Sequence, residues 1–242
     1  MPRTHQNKII GFLLAAGRSL RFGSDKRLHR LPDGRTLMQA SLDSISAVCD
    51  EVLIAVRHDD SSDIHGTLSL AAKHTIYHTQ ADNAGMGDSI ATLANIVRSR
   101  GDEVFAVLVA LADMPFLKHE TLHTLKQRAI EALGAEHAEA DNRLNDVVND
   151  TANEATNHGA REDNLSPTRP LIVCPRFQQE RGHPVIFCSS LLNELSACTG
   201  DTGARRILER HADRIMLVAV ADFGVTKDID VPATTQLAGP YG

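Results

Sequence analysis

The sequence predicts a single α/β domain arranged as a three-layer sandwich, with helices on both faces of a mostly parallel sheet. Short apolar runs closed by turn residues recur along the chain, helical stripes lie between most of them, and 242 residues at 42% hydrophobic suffice for one substantial core. Strands that apolar need cover on both faces, as parallel pairing through helical crossovers provides.

Taken in order, the expected strands are Ile9 to Ala15, Val52 to Val56, Val104 to Ala110, Leu171 to Cys174, Val185 to Phe187 and Ile215 to Val220. Leu37, Ser41, Leu42, Ile45 and Val48 share one stripe of a helix over Leu37 to Val48. Ile90, Leu93, Ala94 and Val97 form a similar stripe, and a further helix begins near Glu120. Residues 134–169 break this rhythm, being rich in Asn, Asp, Glu and Ala without one aromatic residue, and predict a polar insertion within the 1–242 domain. Its first part continues the preceding helix. From Asp141 to Pro170 too little apolar surface is present to offset the entropy of ordering, so a solvated connection is expected, with a partner-docking arm as the alternative.

Composition excludes several classes of function. Against 25 Lys and Arg stand 31 Asp and Glu, a formal charge of -6, which is the wrong sign for a protein whose main partner is a nucleic acid. Cys49, Cys174, Cys188 and Cys198 form no C-x-x-C pair and have no His at zinc-finger spacing, which points to reduced thiols in a cytoplasmic protein. The polar start MPRTHQNK does not have the layout of a signal peptide, and no apolar run is long enough for a membrane span.

Chemistry concentrates at strand ends. Directly after the first strand comes Leu13-Leu14-Ala15-Ala16-Gly17-Arg18-Ser19-Leu20-Arg21-Phe22-Gly23, followed by Lys26. Small residues there let backbone amides approach a polyphosphate, and Arg21 and Lys26 can neutralise its charge. The spacing is neither G-x-G-x-x-G nor a P-loop, and alone it reads equally as a tight turn with two solvated cations. Asp113, in Leu111-Ala112-Asp113-Met114-Pro115, closes another buried strand and can hold a divalent cation in the same crevice; otherwise it caps the helix that follows. Asp228 and Asp230, in Lys227-Asp228-Ile229-Asp230-Val231-Pro232, lie on one side of an extended segment, where they can supply oxygen ligands or start a helix.

With these motifs in order, joined by Gly85-Met86-Gly87-Asp88-Ser89, Arg181-Gly182-His183-Pro184 and Gly200-Asp201-Thr202-Gly203-Ala204-Arg205, the chain resembles MobA-like nucleotidyltransferases from Ile9 to about Leu237, the insertion apart. Within that group it looks most like molybdenum cofactor cytidylyltransferases. The resemblance implies a Rossmann-like sheet of the nucleotide-diphospho-sugar transferase type. It implies nucleotide contacts by Leu14, Ala15, Ala16 and Gly17, phosphate contacts and catalysis by Arg21 and Lys26, and a magnesium ion on Asp113 with Asp230 beside it. Ser89 is implied as a hydroxyl at the nucleotide, or an ordinary cap; His183 and Arg205 fall on the acceptor side, or serve the turn and a solvated helix. Thr79 stands where relatives commonly carry Asn. The implied substrates are CTP, or another nucleoside triphosphate, and molybdopterin, with a molybdoenzyme receiving the product. Relatives using GTP commonly carry Gly-Gly in place of Ala15-Ala16, and the two methyl groups favour a pyrimidine. A guanylyl transferase and a non-catalytic delivery factor are the competing expectations.

Overall fold

The computed structural model describes residues 7–17, 22, 24–60, 64, 66–80, 85–150 and 169–229, with backbone alone from 135 to 150. Its strands are β1 (Ile9–Leu14), β2 (Glu51–Val56), β3 (His74–His78), β4 (Ala106–Leu111), β5 (Ile172–Phe177), β6 (Glu180–Arg181), β7 (Val185–Cys188) and β8 (Ile215–Ala219). Its helices are α1 (Leu37–Ser46), α2 (Met86–Arg100), α3 (His119–Asp150), α4 (Leu192–Ser196) and α5 (Arg205–Arg210). The sheet order is β3-β2-β1-β4-β7-β5-β6, with β8 also pairing with β5. Strands β3, β2, β1 and β4 run parallel, while β7 lies antiparallel to both β4 and β5. The mostly parallel α/β architecture expected from the sequence is therefore present.

The apolar strands are the core. β1 is buried at every position, and Phe12, Leu13, Leu53, Ile54 and Val107 are 0% exposed. Helix α1 begins where Thr36 accepts a hydrogen bond from the Gln39 amide. Helix α2 buries Ile90, Leu93, Ala94 and Val97 against the sheet and ends at Gly101, whose φ of 65° is the left-handed geometry that stops a helix. Truncating a core residue such as Leu93 to Ala costs about 2–5 kcal/mol.

Two expectations need correction. β3 was not expected as a strand, because His74-Thr75-Ile76-Tyr77-His78 sits half-buried at the sheet edge and lacks the continuous apolar run of its inner neighbours. The connection expected from Asp141 is helix as far as Asp150. Leu122, Leu125, Ala129 and Leu133 anchor α3 in the core, and after Gly134 no Gly or Pro follows until past Asp150, so propagation is easier than nucleation. The remainder, residues 151–168, lies outside the described residues. All four cysteines are unpaired thiols, and burial pushes Cys49 up to about 12 and Cys174 to about 11, so neither is a nucleophile. Among the described residues no helix is long and apolar enough to cross a membrane.

Candidate active site

In a parallel sheet, ligands bind beyond the carboxyl ends of strands where the order of connections reverses. Here that point lies between β1 and β4, because β1 has β2 on one side and β4 on the other. Pairing persists just past the strand ends: the Ala15 amide donates to the Ala55 carbonyl at 2.8 Å, and the Ala112 amide to the Leu14 carbonyl at 3.1 Å. These bonds hold the loop after β1 beside the loop after β4, and there Lys26 Nζ meets Asp113 Oδ2 at 2.6 Å. The other carboxylate oxygen, Asp113 Oδ1, is buried and has no hydrogen-bond partner. A helix-capping role for Asp113 is not what the structure shows, since the Lys118 amide ahead of α3 donates to Asp222 at 2.9 Å.

The C-terminal segment joins the same place. The Ile229 amide donates to the Asp113 carbonyl at 3.2 Å, and the Ile229 side chain packs with Phe22 and Leu37 in a small cluster of their own. Phe22 belongs to the first loop, so the tail, the loop and the start of α1 are tied together. Asp230 and Arg21, both expected at this site, lie outside the described residues.

His183 and Arg205 are brought to one cavity of about 170 Å³, which is also lined by Met86, Ile90, Thr202 and Leu208. Burial pushes the His183 imidazole below its ordinary range, against a backbone hydrogen bond to Val109 and the charges of Asp113 and Asp228. Its Nδ1 is buried without a partner, while its amide donates to the Val225 carbonyl at 2.7 Å. Arg205 is exposed at the rim and donates from Nε to Glu209 at 2.9 Å.

Around the start of α2 the polar groups serve the fold. The Gly87 amide donates to the Gly200 carbonyl at 2.7 Å, and Asp88 Oδ2 accepts from both the Gly85 and Gly200 amides. The Ser89 hydroxyl is buried and donates to the Gly85 carbonyl at 3.1 Å, so it is engaged within its own helix. Leu14 and Ala15 pack into the main core, Ala16 is 4% exposed, and Gly17 is exposed. Thr79 is buried with its hydroxyl unpartnered.

Not evident from the sequence is an ion quartet of Asp25, Arg27, Arg57 and Asp60, in which Arg27 is buried and Asp25 and Arg57 are partly exposed. Arg27 donates to Asp60 at 2.6 Å and to the Ala15 carbonyl at 2.8 Å. A local sign was present, since Asp25 caps the turn that carries Lys26 and Arg27. Nothing local links that turn to Asp60, which is 33 residues further on.

Among the described residues no three His, Cys, Asp or Glu side chains gather as a metal cluster. Magnesium bound with a phosphorylated substrate needs only one or two protein carboxylates, and the buried, unpartnered Asp113 Oδ1 fits that requirement.

The MobA-like NTP transferase domain profile matches residues 11–215. Among curated proteins, the chain is 27% identical over 117 residues to a molybdenum cofactor guanylyltransferase of Desulfosudis oleivorans, covering 48% of this chain and 52% of that protein. It is 41% identical over 54 residues to a probable molybdenum cofactor guanylyltransferase of Rhodopirellula baltica, covering 22% and 26%. It is 30% identical over 115 residues to the bifunctional protein GlmU of Bifidobacterium adolescentis, covering 47% and 25%. The matched stretches thus span from a quarter to about half the length of these relatives. In fold, the chain is similar to Rv0371c of Mycobacterium tuberculosis, with a TM-score of 0.63, 21% identity and 93% of each chain covered. That protein has also been crystallised in complex with manganese, a structure with a TM-score of 0.58, 20% identity, and 91% of this chain and 94% of that one covered. The fold is likewise similar to 4-diphosphocytidyl-2C-methyl-D-erythritol synthase of Anaerococcus prevotii, with a TM-score of 0.60, 13% identity, and 96% of this chain and 94% of that one covered.

Proposed function

Because the chain belongs to the MobA-like NTP transferase family, we propose that it transfers a nucleotidyl group from a nucleoside triphosphate to a phosphorylated acceptor, releasing pyrophosphate. In the full reading the triphosphate is CTP, the acceptor is molybdopterin, and the dinucleotide product passes to a molybdoenzyme. The observation that carries the reaction type is the Lys26–Asp113 pair, 2.6 Å apart at the switch point of the sheet, with one carboxylate oxygen left unpartnered.

The roles follow from charge. A phosphate monoester has a second pKa of about 6, so the attacking oxygen is already anionic at neutral pH and needs no general base. That oxygen bonds to the α-phosphorus as the bond from it to the pyrophosphate oxygen breaks. The residues must align two anions that repel each other and stabilise the charge that builds on the leaving group. Lys26 moves from Asp113 to the triphosphate, and the Ala16 and Gly17 amides hold the polyphosphate. Arg21 is assigned to the same phosphates, and His183 and Arg205 to the acceptor. Magnesium would be held by Asp113 with Asp230, and when bound it supplies positive charge against the phosphate oxygens.

The case for CTP rests on the Ala15-Ala16 pair, and burial of Ala15 in the main core reduces its steric argument to the Ala16 methyl. A second reading, transfer of GMP from GTP, is favoured by the relatives named as molybdenum cofactor guanylyltransferases. A panel of the four nucleoside triphosphates with purified molybdopterin, scored for dinucleotide and pyrophosphate, tests both readings. Turnover fastest with CTP is the expected result, GTP in first place selects the second reading, and no pyrophosphate with any nucleotide overturns the reaction type.

A further inference from the structure

Arg27 stands one residue past Lys26 but is only 3% exposed, too buried to meet a ligand itself. Its Nη1 and Nη2 each donate to Asp60 at 2.6 Å, and Nε donates to Asp25 at 2.8 Å. Arg57 completes a neutral set of two cations and two anions, with its Nη2 2.7 Å from Asp25 and 3.0 Å from Asp60. Burial works against a charged guanidinium, but the hydrogen bonds it donates to Asp60 and Asp25 outweigh it and hold Arg27 firmly protonated.

One donor of this fork leaves the quartet. Arg27 Nη1 also donates to the Ala15 carbonyl at 2.8 Å. The Ala15–Ala16 bond is trans, because the one cis bond among the described residues is His183-Pro184. In a trans peptide the carbonyl of one residue and the amide of the next point to opposite sides. With its carbonyl held toward Arg27, this peptide turns the Ala16 amide away from the quartet, and that amide donates to no other described residue.

We propose that Arg27 is a positioning residue that, through the Ala15 carbonyl, presets the Ala16 amide to receive a triphosphate. The quartet supplies the rigidity: Asp60 reaches Arg27 from beyond the end of β2, so the loop after β1 is referenced to the neighbouring strand. This inference rests on the nucleotidyl-transfer reading of the site.

The test separates the two. Binding of CTP, GTP and inorganic pyrophosphate is measured by calorimetry on the wild-type chain and on Arg27→Lys, Arg27→Leu and the double variant Arg27→Leu with Asp60→Asn, each with its melting temperature. Lysine keeps the charge but cannot serve three acceptors in a planar fork, so Arg27→Lys should bind all three probes about tenfold more weakly. The double variant removes the stranded carboxylate and should recover melting temperature relative to Arg27→Leu, with affinity still low. Unchanged affinity in Arg27→Lys, or affinity that rises and falls with melting temperature across the series, overturns the positioning role. A wild-type chain that binds none of the probes instead overturns the reading of the site on which the inference rests.

Discussion

Two small-residue segments, one around Gly17 after β1 and one around Gly87 at the start of α2, look alike as sequence, yet the structure gives them opposite surroundings. A Cβ on Gly87 would stand 2.6 Å from the Thr199 carbonyl oxygen, whereas no described residue comes within 4 Å of the place a Gly17 Cβ would take. Gly87 is small because the protein's own backbone fills the space. Gly17 has open space among the described residues, in the segment after β1 that leads to Lys26. A glycine therefore signals close approach of something, and only the fold tells whether that is the chain or a ligand.

The side of this comparison that leads to Lys26 carries the largest expected effect. Asp113→Asn removes the charged oxygen pair at the β4 end and should lower turnover about 100- to 1000-fold, while circular dichroism stays unchanged. Near-normal turnover at saturating magnesium would break the metal assignment.

Next come the two glycines themselves. Gly87→Ala should lower unfolding stability by about 1–3 kcal/mol, because the Thr199 backbone must shift, yet leave the folded protein's triphosphate affinity intact. Gly17→Ala should do the reverse, with an unchanged urea midpoint and weaker triphosphate binding. If Gly17→Ala unfolds, or if Gly87→Ala loses binding at full stability, the contrast between the two segments fails.

Acid sharpens the view of what holds the first loop. Burial raises the Asp25 and Asp60 carboxyls, but their hydrogen bonds and charge interactions with Arg27 outweigh it and hold both below the ordinary 3.8. A carboxyl lowered by folding contributes stability that is complete above the unfolded value and lost as pH falls through the folded one. The wild-type melting temperature should therefore drop as pH falls below 3.8, and Asp60→Asn should show a shallower drop. Equal slopes would mean that the quartet does not hold the loop.

The smallest effect concerns nucleotide choice. Ala16→Gly should reduce the ratio of kcat/KM for CTP over GTP by about tenfold, the low end of the about 1–3 kcal/mol that one methyl contributes to discrimination. Ala15→Gly should act mainly on stability, because that methyl lies in the core. An unchanged ratio in Ala16→Gly would place specificity elsewhere.

The inner strands were legible because a strand buried on both faces must be apolar throughout, as Ile9–Leu14 and Ala106–Leu111 are. The edge strand His74–His78 was not, since half-burial leaves no such run. Lys26 and Asp113 were legible as strand-end residues of the right charge. Their 2.6 Å meeting was not, because it depends on β1 and β4 being neighbours although α1, β2, β3 and α2 intervene in the chain.

By itself, then, the sequence determined the α/β class, the apolar strands of the sheet interior and the candidate polar residues at their ends, all of which rest on local composition and periodicity. Tertiary structure alone decided that Arg27 lies buried with Asp60, that Asp222 and not Asp113 takes the amide before α3, and that Ser89 turns into its own helix. The first two join hydrogen-bond partners far apart in the chain. Burial forces each polar group to find some partner, and only the packed fold determines which one is within reach.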